Sequence, residues 1–463
     1  MAITRSGRIV LAKGYGSTGI GRPVTAQTQF MIASLSKSFT AIAVMLLVEA
    51  GKINLDAPVQ SYLPIFELAD RITAPRITVR HLLNQTSGLA DQGFPEMQLS
   101  QPATIEERVQ TLRVARPVSV PGMVFHYFNP NYAILARLVE VVSGMPFADY
   151  MTQRIFAPLG MNRTFAAVTS REIERRAERL TQGHIAAYGI PIRSSEMDGC
   201  LAGSGGVVSN AEDMARYLAM QTGGDSFESQ QILSLASLRL THEPPTSSTP
   251  YAMGWFAATI NGRSASEHNG VLSTVFAEAV LLPEQGYGVV ILYNVYSLPA
   301  ALIAFPRIKR GIIALLEGRK PELSGVTVRQ FGFVTAMLTF VGFILCLRML
   351  WQQIYRNTPA TSVQASWIIL RIAALVSPGV VLVCLPWLIE MLSGRAFSFV
   401  MLFYGMFVVR EERRLHAVVC FLLAQSVHNI SANQSASHLR MRRKLLPTAA
   451  STALIASPAA CAR

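Results

Sequence analysis

A helix-length run with no wet side restricts this fold more than any other feature. Ser38-Phe39-Thr40-Ala41-Ile42-Ala43-Val44-Met45-Leu46-Leu47-Val48-Glu49-Ala50 is apolar at nearly every helical angle and is stopped by Gly51. A helix that is apolar all round must be enclosed, so this segment predicts the centre of a layered domain. Gly51 fits the left-handed position just past a helix end, and Ser34 stands where the helix is expected to begin. Residues three apart share a helix face, so in Ser34-Leu35-Ser36-Lys37 the amine reaches the first hydroxyl. A hydroxyl becomes a useful nucleophile when a base removes its proton. An amine takes that role only where burial or nearby positive charge disfavours its charged form. The helix N-terminus adds partial positive charge that favours an oxyanion. The same spacing also fits an N-cap serine with a surface lysine, although a lysine heading an all-apolar helix is expensive to bury without a role. Ser36 and Ser38 have Phe39 and Ala41 three residues on, so only Ser34 has this partner.

The chain of 463 residues has room for two or three domains and at least one sizeable core. It is 51% hydrophobic, with 28 Lys/Arg against 24 Asp/Glu in residues 1–320 and 13 against 4 in residues 321–463. The basic excess sits in the most apolar third, which points to membrane flanks and away from nucleic acid. Residues 331–347 and 372–389 are uncharged, 396–409 is a shorter run and 415–424 is marginal. A bilayer core takes about 20 apolar residues per helix. The expected layout is a domain over 1–318, a linker at 319–330, about three transmembrane helices within 331–430, and a basic disordered tail at 431–463. A buried helical bundle is the other reading of these runs. Trp351, Tyr355, Trp367 and Trp387 suit interfacial anchors. The Arg410-Glu411-Glu412-Arg413-Arg414 cluster takes the cytoplasmic side, so three crossings place the N-terminal domain outside the cytoplasm.

Of Cys200, Cys346, Cys384, Cys420 and Cys461, only the first lies in the N-terminal domain, which therefore holds no internal disulfide. With no CxxC and no HExxH, neither a metal nor a cofactor is expected. The chain opens inside a hairpin, turning at Arg5-Ser6-Gly7 into a strand at 8–12, with no signal peptide ahead of it. Helices are predicted at 132–142, 147–155 and 299–316, with another capped by Ser209 or Asn210. Strands are predicted at 253–260, 274–282 and 288–294. Strands at both ends with helices between them imply one α/β (α+β) domain whose sheet joins N- and C-terminal pieces. Gly203-Ser204-Gly205-Gly206 reads as a glycine turn and lacks the spacing of a nucleotide-binding loop.

Two further stretches matter together with the first. Tyr127-Phe128-Asn129 puts a phenol and a carboxamide on one side of an extended loop. A phenol beside a lysine can shuttle a proton, and a carboxamide can bond a substrate amide through its donor and its acceptor. Alone, they read as a core tyrosine with a turn asparagine. His268-Asn269-Gly270 is predicted in a loop before the strand at 274. Its glycine lets a substrate lie along the strand edge, and the N–H of Val271 could join that of Ser34 as an oxyanion donor. A lone loop histidine is more often structural.

In this order, SxxK, YxN and K/H-x-G resemble the motifs of the serine β-lactamase and penicillin-binding-protein-like family. The nearest branch is the class C type, with its esterase and D-aminopeptidase relatives. The stretches at 28–41, Leu82-Leu83-Asn84-Gln85-Thr86-Ser87-Gly88-Leu89, Pro158-Leu159-Gly160-Met161 and Gly205-Gly206-Val207-Val208-Ser209 are similar to its other signatures. The resemblance covers residues 1–318. It implies an antiparallel sheet flanked by helices plus a mostly helical subdomain, with the site between them. It implies Ser34 as acylated nucleophile, Lys37 as its activating partner, Tyr127 as proton relay and Asn129 as a substrate-amide contact. His268 and Gly270 would form the strand-side wall, and the amides of Ser34 and Val271 the oxyanion hole. Which group acts as the base is open in such enzymes.

Three departures stand out. His268 replaces a common lysine, and a neutral imidazole holds a substrate carboxylate less well, which argues against efficient β-lactam hydrolysis. Thr274 replaces a common glycine. The residues and signal peptide that precede the family's first strand are absent, which suggests a truncated or misassigned start. The expected protein is a membrane-anchored serine hydrolase acting on small-molecule or peptide acyl substrates (esters, amides, peptides), with the lipid bilayer as its other partner. Its rivals are a receptor triggered by acylation with a β-lactam or cell-wall fragment, and a non-catalytic scaffold.

Overall fold

In the computed structural model, which describes residues 1–355 apart from 223–231, 247–248 and 323, the first two strands are β1 (Ala2–Arg5) and β2 (Arg8–Ala12). They turn at Ser6 and Gly7, both with positive φ, the geometry whose twist suits a two-residue hairpin. β3 (Phe30–Met31) and a 3-10 turn, Ala33–Leu35, lead into α1 (Ser36–Glu49). A helical region follows: α2 (Val79–Leu83), α3 (Ile105–Thr111), α4 (Pro130–Ser143) and α5 (Phe147–Met151). Then come β4 (Phe165–Ala166), α6 (Ser170–Arg176), the hairpin β5 (His184–Ala187) and β6 (Ile190–Arg193), β7 (Val207–Ser209) and α7 (Ala211–Gln221). The chain returns through α8 (Leu235–Leu240), β8 (Tyr251–Ala252), β9 (Trp255–Ile260), β10 (Arg263–Val271), β11 (Phe276–Leu282), β12 (Tyr287–Tyr293), α9 (Phe305–Leu316) and α10 (Val328–Tyr355).

The main sheet is antiparallel, in the order β2-β1-β12-β11-β10-β9-β8. Ala2 lies opposite Val290 and Arg5 opposite Tyr287, so the first and last strands of the domain do close one sheet. β11 is buried along its whole length because it is covered on both faces. Ala277, Ala279 and Leu281 face the core that holds α1 and α7, while Val280 and Leu282 meet Ile313 of α9.

Eleven residues of α1 are buried, as its all-apolar sequence requires. Phe39 stacks on Tyr217 of α7 with ring centroids 3.7 Å apart. Truncating such a fully buried ring costs about 3–5 kcal/mol.

The structure differs from the sequence reading in several places. His268-Asn269-Gly270 lies within β10, not in a loop, because β9 and β11 flank that polar stretch and supply its hydrogen bonds. A short strand, β7, stands between Gly206 and the helix cap, pairing β3 on one side and β4 on the other. The cap itself is Asn210, whose side chain accepts from the Asp213 N–H at 2.9 Å. The β5–β6 hairpin had no signal in the sequence. The first expected membrane span falls on α10, whose stretch Val328–Leu345 is apolar and only 6% buried. The runs at 372–389, 396–409 and 415–424, the Arg410–Arg414 cluster and the tail lie outside the described residues.

Candidate active site

Ser34 does not cap α1. It sits in the 3-10 turn ahead of it, straight after Ala33, whose φ of +48° is left-handed. That conformation costs a residue with a Cβ about 1–3 kcal/mol and persists only where the surroundings hold it. Here four hydrogen bonds do so. Ile32 N–H donates to Val207 O at 3.1 Å and Leu35 N–H to Ile32 O at 3.2 Å. The Ser36 hydroxyl donates to Ala33 O at 2.6 Å and accepts from Val207 N–H at 3.0 Å. β7, unexpected from the sequence, is thus the brace of the nucleophile turn.

Lys37, in the first turn of α1, is fully buried. Its Nζ lies 3.1 Å from Ser34 Oγ, 2.9 Å from Asn129 Oδ1 and 2.9 Å from the Ser204 carbonyl oxygen. The last two are acceptors only in this arrangement, so they occupy two N–H bonds of the amine. The third direction points at Ser34. There an ammonium donates a proton, and a neutral amine presents its lone pair to the hydroxyl. Nζ also lies 4.9 Å from the ring centroid of Tyr127 and 5.7 Å from that of Tyr132, within cation–π range.

The loop carrying Tyr127 and Asn129 is fixed by Gln85, itself at φ +58°. The Gln85 side-chain oxygen accepts from Phe128 N–H at 3.1 Å and Asn131 Nδ2 at 2.7 Å, and its carbonyl accepts from His126 N–H at 2.9 Å. Ser87 Oγ donates to Asn131 Oδ1 at 2.8 Å. The Asn84-Gln85-Thr86-Ser87 stretch therefore builds the second motif rather than contributing chemistry. Both ends of the Asn129 amide are engaged: while its oxygen accepts from Lys37, its nitrogen donates to Glu96 Oε1 at 2.6 Å. A substrate amide would have to share it.

β10 brings the third motif against the Ser34 turn. The Gly270 backbone packs on Ile32 and Ala33 so closely that no side chain would fit, and Val271 ends the strand opposite Phe276. His268 stands behind this wall, only 2% exposed and packed among the rings of Tyr127, Tyr251 and Phe256. Its Nδ1 is 2.7 Å from the Asn269 carbonyl oxygen, so Nδ1 carries the proton and Nε2 accepts from the Tyr251 hydroxyl at 3.1 Å. Burial, with help from the charge of Lys37, lowers its pKa to about 3 against the pull of that carbonyl. The ring is neutral at pH 7. The face turned to solvent at this edge comes from Asn269 and Val271. Thr274 is buried too, its hydroxyl donating to Glu196 Oε2 at 2.9 Å.

The structure thus brings Ser34, Lys37, Tyr127, Asn129 and Gly270 together and sets His268 behind them. Four contributors escaped sequence reading. Ser204 acts through its backbone, to which side-chain identity is blind, although its glycine turn was visible. Glu96, Tyr251 and Glu196 carry no motif, and only the fold brings them in.

Comparison with known proteins agrees with this fold. Residues 1–309 match the family model described as Beta-lactamase. The chain is 27% identical over 421 residues to protein flp of Staphylococcus aureus (strain MW2), spanning 86% of this chain and 80% of that one. It is 29% identical over 302 residues to penicillin-binding protein 4 of Amycolatopsis lactamdurans, spanning 61% and 77% of the two. The octameric penicillin-binding protein homologue from Pyrococcus abyssi superposes with a TM-score of 0.57 at 27% identity, over 70% of this chain and 74% of that one. One family model spans well over half of the sequence, and the sheet and helices around Ser34 have that family's architecture, so the chain belongs to the beta-lactamase family.

Proposed function

We propose that this protein is a membrane-anchored serine hydrolase that forms an acyl-enzyme on Ser34 and acts on ester, amide or peptide bonds. The observation that carries this reading is the Lys37 amine, tied by two fixed acceptors and aimed at Ser34 Oγ at 3.1 Å. Ser34 Oγ attacks the substrate carbonyl carbon as its proton passes to Lys37. Tyr127, whose ring lies over that amine, relays a proton to the leaving group as the scissile bond breaks. The amides of Ser34 and Val271 hold the oxyanion, and water then attacks the ester on Ser34 to free the acid. A neutral, buried His268 offers no cation for a substrate carboxylate, which favours substrates lacking one over β-lactams. The apolar, exposed α10 supports the anchor, and the charge pattern beyond it supports an extracytoplasmic catalytic domain.

The test is stopped-flow hydrolysis of p-nitrophenyl esters by the full chain in nanodiscs. A burst equal to the enzyme concentration, followed by steady turnover and absent in Ser34→Ala, is expected. A burst with no turnover would favour the acylation-triggered receptor, and hydrolysis undiminished in Ser34→Ala would overturn the nucleophile.

A further inference from the structure

The β5–β6 hairpin is tied into the catalytic domain at its base, where Tyr296 N–H donates to His184 O at 3.0 Å. Its two-residue turn, Tyr188 and Gly189, has φ of +51° and +81° and lies against α10. A Cβ on Gly332 would come within 2.4 Å of the Tyr188 carbonyl oxygen, so only glycine allows this approach. Further along the same helix, Tyr188 Oη donates to Thr339 Oγ1 at 3.2 Å. At 1.5 Å per residue the hairpin tip follows α10 for about 10 Å, and Thr339 lies about 16 Å from the helix start at Val328.

That placement has a consequence if α10 is the membrane anchor, the reading on which this inference rests. The apolar stretch Val328–Leu345 contains both contact points. A bilayer that wets this stretch therefore also wets the tip. The tip is suited to it. Ile190 is 66% exposed, and Ile192 shares its face of β6. The Tyr188 ring adds apolar area to the tip, and its hydroxyl is satisfied by Thr339 rather than left bare in the acyl region. Arg193 at the far end of β6 and Arg329 in the first turn of α10 flank the apolar tip with positive charge, as an anionic leaflet favours.

We propose that the β5–β6 hairpin is a second membrane contact, its tip inserted beside α10 into the acyl region of an anionic leaflet. The contact bears on the site because the hairpin is bonded to its rim. His184 N–H donates to Thr274 O at 3.1 Å. Just beyond β6, Glu196 accepts from the N–H and hydroxyl of both Ser273 and Thr274, in the turn joining β10 to β11. The depth of the hairpin therefore sets the height of the Gly270–Val271 edge above the bilayer.

Single-cysteine NBD probes at Ile190→Cys, Val341→Cys and Ile72→Cys test this in the full chain, with its five native cysteines changed to alanine, in phosphatidylglycerol nanodiscs with and without brominated acyl chains. All three positions are exposed, so the label should not unfold the domain. Equal melting temperatures and ester turnover check that. Loss of most emission at 190 and 341, with none at 72, is the expected result. Quenching at 341 but not at 190 overturns the hairpin contact and leaves the anchor standing. A blue-shifted but unquenched probe at 190 means that protein covers the tip, and also overturns it. An unquenched 341 removes the anchor and the hairpin contact together, and quenching at all three positions overturns a contact confined to the tip.

Discussion

Gly270 stands so close to Ile32 that a Cβ added to it would lie 2.2 Å from the Ile32 carbonyl oxygen and 3.1 Å from Ala33 Cβ. The strand and the nucleophile turn are in backbone contact. Gly270→Ala must push β10 off that turn, taking the Val271 N–H with it. The expected outcome is a loss of stability of about 1–3 kcal/mol, as for other overpacked sites, together with slower acylation of Ser34. Thermal melting and fluorophosphonate labelling rates check it. Unchanged labelling would mean that the strand edge plays no part in acylation.

Glu96 positions Asn129. Glu96→Ala takes away the acceptor of the half-buried Asn129 amide nitrogen, which costs about 1 kcal/mol, the net worth of a typical hydrogen bond. It also frees the amide to turn away from Lys37, so acylation should slow. Glu96→Gln keeps an acceptor oxygen and should restore most of the rate. Equal damage by both variants would show that the charge, not the acceptor, matters.

Lys37→Met removes the amine while keeping most of the buried volume. Labelling of Ser34 should fall by about 10²–10⁴-fold, the usual scale for losing a positioned base. The Asn129 and Ser204 oxygens lose a donor as well, so melting should also drop. A fast-labelling Lys37→Met protein would transfer the base role to another group.

Stability should depend on pH from both sides. Burial lowers His268 to about 3 and His242 to about 4, from 6.5 in each case. As pH falls below 6.5 the unfolded chain binds protons that the native chain refuses, so stability declines until pH reaches those lower values. Burial raises the Glu278 carboxyl from 4.5 to about 7, against the nearby Lys309 charge and the Tyr293 hydrogen bond. The native chain keeps that proton longer, so stability declines as pH climbs from 4.5 through about 7. In a melting-temperature profile, Glu278→Gln should flatten the decline above pH 6.5, steepen the rise between pH 4.5 and 6.5, and leave the limb below 4.5 intact. A profile unaltered by the substitution would contradict this.

The parts legible in the sequence are those whose signal is local. The α1 run shows its burial in composition, and the Ser34–Lys37 pair follows from helical spacing. β11 and β12 read as apolar runs between turns. β10 did not, because Arg263–Val271 has no apolar alternation and owes its strand state to neighbours on both sides. The start of α1 was set two residues early, at Ser34 instead of Ser36, because the 3-10 geometry there depends on β7, more than 170 residues away in sequence. Glu96 was invisible for a similar reason: it meets Asn129 across 33 residues, from a single 3-10 turn at Glu96–Gln98. The second motif was readable, but the engagement of both ends of its amide needed the fold.

The central claim is that Ser34 is the acylated nucleophile. Intact-protein and peptide mass spectrometry after fluorophosphonate treatment measures it most directly, with wild type beside Ser34→Ala. One adduct per chain, mapped to Ser34 and lost in the variant, is the expected result. Equal modification of both proteins, or an adduct on any other residue of the wild type, would contradict it.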